Sequence, residues 1–212
     1  MFFLPTESLL LFIAASIALL VTPGPAVLYI VTQSISQGTK AGIFSSLGLG
    51  MGGIVHVFAA AFGLSAILAA SATAFTVVKL LGAAYLIFLG IQKFREVGKE
   101  AKPGFDHQPS SMRKIFMRGV WVNVLNPKAA LFFLAFCPQF IDPVVGNPEI
   151  QMLFLGGLFL AIALITDISF AVFSGKVRRL FIKGSKYSRN LNYAAGSIYI
   201  LMGIAAAFGS KD

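Results

Sequence analysis

Val21-Thr22-Pro23-Gly24-Pro25-Ala26-Val27-Leu28 lies in the middle of the apolar run 8–32. A bilayer core of about 30 Å needs about 20 apolar residues per helix, so this run is long enough to cross. Yet its centre carries two prolines with a glycine between them. Each proline removes a backbone donor, and the glycine relaxes the chain between them. Irregular backbone at membrane depth survives only where protein or a watery cavity surrounds it. The run therefore reads as a helix broken beside a cavity, with a simple kink as the plainer alternative.

Five further runs reach membrane length, at 41–70, 75–91, 115–141, 152–175 and 191–208. The composition agrees with membrane burial. Of the 212 residues, 57% are hydrophobic and 12% charged, against about 25% charged in a soluble domain. Mean hydropathy is +0.84. The first cation is Lys40. The N-terminus thus lacks the positive region of a signal peptide and reads as a retained helix. One all-α transmembrane domain over 1–212 is the simplest account.

The net charge of +9 could suggest nucleic acid. Its distribution excludes that reading, because most cations fall in two short loops. One holds Lys93, Arg95, Lys99, Lys102, Arg113, Lys114 and Arg118, and the other Lys176, Arg178, Arg179, Lys183, Lys186 and Arg189. The loop after the fourth run carries only Asp142 and Glu149. The positive-inside rule puts the basic loops in the cytoplasm, the acidic one outside, and both termini outside. The first basic segment, with Pro103-Gly104 and Gln108-Pro109, reads as a linker between two halves. Contact with anionic lipid is its secondary use.

The halves resemble each other. Leu125-Asn126-Pro127-Lys128-Ala129-Ala130-Leu131 is the counterpart of the opening stretch. Aligning Pro23 with Pro127 sets Gly52-Gly53 on Gly156-Gly157 without a gap. Gly82-x-x-Tyr85 with Gly90 then matches Gly196-x-x-Tyr199 with Gly203 after small gaps. Three helices per half is an odd number, so the second half must cross in the opposite direction. The expected architecture is two inverted three-helix repeats, about 1–95 and 113–212, joined by a cytoplasmic linker of about 96–112. Helices one and four are broken at their proline motifs. Many secondary transporters are built this way.

Polar groups at membrane depth nominate the site. Lys128 lies thirteen residues past Ile115, about 20 Å along a straight helix, which is deep for a side chain that merely snorkels to the interface. Asn123 and Asn126 add amides one turn apart. Asp167 is the only acid well inside an apolar run, and His56 lies near the middle of the second. Intramembrane ionisable groups are functional candidates, and carboxylates and histidines serve as proton relays. The plainer alternative is a structural hydrogen bond or an ion pair, such as Asp167 with Lys128. The expected substrate site is Thr22, Pro23, Gly24, Pro25, Asn123, Asn126, Pro127 and Lys128. Asp167 and His56 are the expected proton-coupling residues. Gly48 and Gly52 form a G-x-x-x-G, which suits tight packing within the chain first and a homodimer contact second.

The sequence offers no chemistry for a cofactor. There is no Cys/His cluster for a metal and no G-x-x-x-x-G-K-[ST] for a nucleotide. Cys137 is the only cysteine, so no internal disulfide forms. Gly63-Leu64-Ser65-Ala66 with His56 gives an intramembrane serine protease faint support.

Four motifs in order resemble the LysE/RhtB family of amino-acid exporters. They are Pro23-Gly24-Pro25, the glycine-rich second run after Gly38-x-x-x-Gly42, Lys79-Leu80-Leu81-Gly82-Ala83-Ala84-Tyr85-Leu86 with Leu89-Gly90, and Asn126-Pro127-Lys128-Ala129. The resemblance covers essentially the whole chain. It implies a bacterial cytoplasmic-membrane protein that exports amino acids or their relatives, driven by the proton gradient. Members of the wider superfamily handle other solutes, so a metal-cation exporter is the alternative within transport. An intramembrane enzyme or a scaffold without flux is the alternative outside it.

Overall fold

A computed structural model describes residues 5–22, 24–64, 72–95, 110–142 and 146–176, with 197, 200, 201 and 204. Helix α1 spans Thr6–Val21. Its last turn closes locally, with the Thr22 N–H on the Leu19 carbonyl at 3.2 Å and the Thr22 hydroxyl on the Ala18 carbonyl at 2.7 Å. Gly24 is extended, and α2 starts at Pro25 and runs to Gln37. Proline suits the first helical position, where its missing N–H would have had no partner anyway. Gly38, at φ 90°, ends α2 and begins the next helix at once. A side chain there would be strained, and glycine is not.

Helix α3 covers Thr39–Phe58 and continues as π-helical turns through Ala59–Leu64. Helix α4 covers Ala72–Arg95. Helix α5, Met112–Val124, opens on a Ser111 cap whose hydroxyl accepts from the Lys114 N–H at 3.4 Å. The chain breaks at Asn126-Pro127 and resumes as α6, Pro127–Leu131. It then winds through a π-helical stretch, Phe132–Phe136, and a 3₁₀ turn, Cys137–Phe140. Helix α7, Pro148–Lys176, is unbroken over 29 residues.

No strand occurs among the described residues. The extended α3, Thr39–Gly63, and α7 are each long and apolar enough to cross a membrane, and α1–α2, and α5 with the continuous stretch Pro127–Phe140, are bent pairs that pass the same test together. The bends are 53° and 44°. They fall at the two proline motifs, as the sequence suggests. The described residues thus hold two unbroken and two broken candidate spans. The linker expected at 96–112, except 110–112, and nearly all of the run 191–208 lie outside them, as does Pro23.

Helix α3 is the central element and packs mainly against α5 and α7. Hydrocarbon supplies little hydrophobic drive between helices, so close backbone approach holds them. Gly48 and Gly52 make that approach: a Cβ on either would run into the carbonyl oxygen of Phe116 or Val120 on α5. The G-x-x-x-G is therefore used inside the chain, which removes it from the surfaces a second copy could meet.

Two cores flank the breaks. Phe12 of α1, Phe132 and Phe140 beyond the second break, and Phe159 of α7 form an aromatic cluster, with Phe132 and Phe159 stacked at 4.5 Å. Ile30 of α2, Leu49 of α3 and Ala171 of α7 form a smaller one. The first uses the chain before the first break and after the second, and the other uses α2 after the first break. The α2 end of the fold is pinned to α5. The Tyr29 hydroxyl donates to the Ile115 carbonyl at 2.7 Å, and the Ser110 N–H donates to Gln37 Oε1 at 2.8 Å.

Candidate functional site

The two breaks meet. Lys128 Nζ donates to the main-chain carbonyl of Thr22 at 2.7 Å, across 106 residues of sequence. That carbonyl closes the C-terminal end of α1, where a helix carries partial negative charge and attracts a cation. Lys128 is only 9% exposed, so it reaches inward to the other break and does not snorkel to the surface.

A chain of amides leads away from it. Asn126 caps α6, its Oδ1 accepting from the Lys128 N–H at 3.1 Å. Its Nδ2 approaches Asn123 Oδ1 at 3.4 Å, and Asn123 Nδ2 donates to the Leu49 carbonyl of α3 at 2.7 Å. His56 Nε2 lies 2.7 Å from the Asn123 carbonyl. Asp167 comes in from α7, 7% exposed, and Lys128 is the charge that acts on it.

Several of these groups line a cavity of about 50 Å³, room for a few water molecules. Asn123, Asn126, Lys128 and Asp167 give it its polar side, with Gly24 from the first break. Phe133, Phe159 and Leu160 form part of its apolar wall. One cation and one carboxylate thus share one small space.

Of the ten residues nominated from sequence, Gly24, Asn123, Asn126, Lys128 and Asp167 line this cavity. Thr22 contributes its carbonyl, while its hydroxyl is turned back to Ala18. Pro25 and Pro127 each sit at the start of a half-helix and shape the breaks. Pro23 lies outside the described residues. His56 is held by the Asn123 carbonyl and stacks on Phe133 at 6.5 Å. Sequence reasoning missed Phe133 and Phe159. Their only signal was an aromatic residue inside an apolar run, which looks the same as ordinary core.

The LysE type translocator model matches residues 17–210. The chain belongs to the LysE family. It is a transport protein of the membrane, not an enzyme. The homoserine/homoserine lactone efflux protein of Salmonella typhimurium is 33% identical over 197 residues, 92% of this chain and 94% of that one. The leucine efflux protein of Klebsiella pneumoniae is 28% identical over 90% of each chain. The uncharacterized membrane protein YrhP of Bacillus subtilis is 30% identical over 93% of this LysE-family chain and 97% of its own. No solved structure matches.

Proposed function

We propose that this protein exports neutral amino acids or close relatives across the bacterial cytoplasmic membrane in exchange for protons. The observation that carries this reading is the cavity between the two helix breaks, with Lys128 and Asp167 both in its lining. An amino acid is a zwitterion, and such a pair of fixed charges complements it. Lys128 takes the carboxylate, together with main-chain amides at the start of α2, a 13-residue helix without a side-chain cap. Asp167 takes the ammonium group. The side chain faces the wall of Phe133, Phe159 and Leu160, which offers no further charge. Relatives named for efflux of homoserine and of leucine support substrates of this kind.

A cavity of about 50 Å³ has room for only a few waters. Substrate binding therefore calls for the halves to move apart. Two inverted three-helix halves rocking about the breaks supply that motion. The reading is tested by flux. Purified protein in liposomes should exchange labelled L-leucine or L-homoserine for unlabelled substrate across the membrane. Protein-free liposomes should not, and no exchange across a panel of neutral amino acids would end the proposal.

Topology gives a second test. The contrast between the basic loops and the acidic Asp142 and Glu149 puts residues 110 and 147 on opposite sides. Single cysteines replacing Ser110 and Asn147, in a background lacking Cys137, should label differently in intact cells. An impermeant thiol reagent should reach position 147 and leave 110 unmodified until the cells are opened. Equal labelling of both from outside would overturn the inverted arrangement.

A further inference from the structure

The second break leaves a main-chain acceptor without its helical donor. In an unbroken α-helix the Asn123 carbonyl would accept from the N–H of residue 127. That residue is proline and has none. Two other donors take its place. The Asn126 N–H reaches the carbonyl at 2.9 Å in a tighter turn, and His56 Nε2 approaches it at 2.7 Å. A carbonyl oxygen only accepts, so Nε2 carries the proton in this bond.

Helix α3 grips Asn123 twice. Leu49, seven residues before His56 and on the same face of the helix, accepts from Asn123 Nδ2 at 2.7 Å. The His56 ring also lies within 13° of parallel to Phe133. Asn123 and Phe133 stand on opposite sides of the break, and both line the cavity. One side chain of α3 thus touches the cavity wall before and after the break.

We infer that His56 is a positioning residue for the substrate site, fixing the second break against α3 and so setting where Asn123, Lys128 and Phe133 stand. The inference rests on the cavity being the place where substrate binds. The contact ties up one ring nitrogen: the proton on Nε2 is committed to a main-chain carbonyl, which cannot pass it on, so proton coupling through His56 would have to use Nδ1.

Two variants distinguish the roles. His56→Gln keeps an N–H donor of similar reach, and His56→Phe keeps the ring and loses the donor. Transport of labelled L-leucine and L-homoserine is measured in liposomes with matched amounts of folded protein. His56→Phe should raise KM about tenfold, the effect of one lost hydrogen bond on site geometry, with the maximal rate within about twofold of the parent. His56→Gln should return KM to within about threefold and accumulate substrate against its gradient as the parent does. A folded His56→Phe with the parental KM overturns the inference, and so does a His56→Gln that exchanges substrate but no longer accumulates it. The second result would make His56 a proton carrier. ¹⁵N NMR of histidine-labelled protein adds a readout independent of substrate. The His56 signal, assigned by its loss in His56→Gln, should show a protonated, hydrogen-bonded Nε2. A bare Nε2 overturns the inference. If the parent moves neither amino acid, the substrate reading fails, and the NMR signal still decides the His56 contact.

Discussion

Lys128→Ala should keep its fold and lose its substrate. Two stability terms act in opposite directions. Removing a charge from membrane depth relieves about 2.5–3.5 kcal/mol on insertion scales. It also strips the Thr22 carbonyl of the donor now 2.7 Å away, and an unsatisfied buried acceptor costs about 1–3 kcal/mol. These are similar in size, so the melting temperature of the purified variant should move by only a few degrees. Binding has no such compensation. A hydrogen bond between the ammonium and a substrate carboxylate contributes about 1.5–3 kcal/mol, so its loss weakens affinity roughly 10- to 100-fold. The check is thermal melting with and without L-leucine or L-homoserine. Ligand should raise the melting temperature of the parent and leave Lys128→Ala unmoved. Lys128→Arg keeps the charge, but its broad planar head must fit a cavity of about 50 Å³, so it should fall between the two. A well-folded Lys128→Ala stabilised as much as the parent would remove Lys128 from the list of principal ligands. The two proline breaks would then be kinks that serve packing alone.

The breaks themselves were legible because proline acts locally. Pro25 and Pro127 each begin a half-helix, as a residue without an N–H must. Extents were less legible. The run 8–32 ends earlier in apolar character than α2 does in structure. Thr32, Gln33, Ser34, Ser36 and Gln37 are polar yet helical, and only Gly38 stops the helix. The run 115–141 looked like one broken helix. From Pro127 only five residues are regular α-helix before the chain widens at Phe132–Phe136 and tightens at Cys137–Phe140. Phe132, Phe136 and Phe140 of that stretch belong to the aromatic cluster, whose long-range contacts no local pattern encodes. The site showed the same division. Depth alone singled out Lys128, Asp167 and His56, because a polar group in hydrocarbon needs a reason. Partners could not be read in the same way. The carbonyl of Thr22 lies 106 residues from Lys128, and that of Asn123 lies 67 residues from His56. A main-chain acceptor leaves no residue type in the sequence to recognise.

Asp167→Asn should uncouple transport from the proton gradient and leave exchange intact. Among the residues that line the cavity, Asp167 is the acid. Glu7, in the first turn of α1, and Glu149, in the first turn of α7, lie at helix starts, far along the chain from the breaks. The hydroxyls nearest Asp167 in sequence cannot replace it: Thr166 Oγ1 donates to the Ile162 carbonyl at 2.8 Å and Ser169 Oγ to the Ile165 carbonyl at 2.7 Å. Asparagine has nearly the same shape and can still accept a hydrogen bond from a substrate ammonium, but it carries no ionisable proton. The sign of the effect is fixed by antiport. In liposomes with an acidic lumen, protons leave and substrate accumulates inside. One pH unit supplies about 1.4 kcal/mol per proton, enough for about tenfold accumulation at one proton per substrate. The parent should approach that ratio, and Asp167→Asn should stop at equal concentrations on the two sides. Counterflow, in which labelled substrate enters against unlabelled substrate with no net proton movement, should persist in the variant. Both measurements use the same liposomes, so a misfolded preparation is recognised by failing both. If Asp167→Asn accumulates substrate as the parent does, Asp167 serves only as the charge opposite Lys128, and the coupling proton travels by another group.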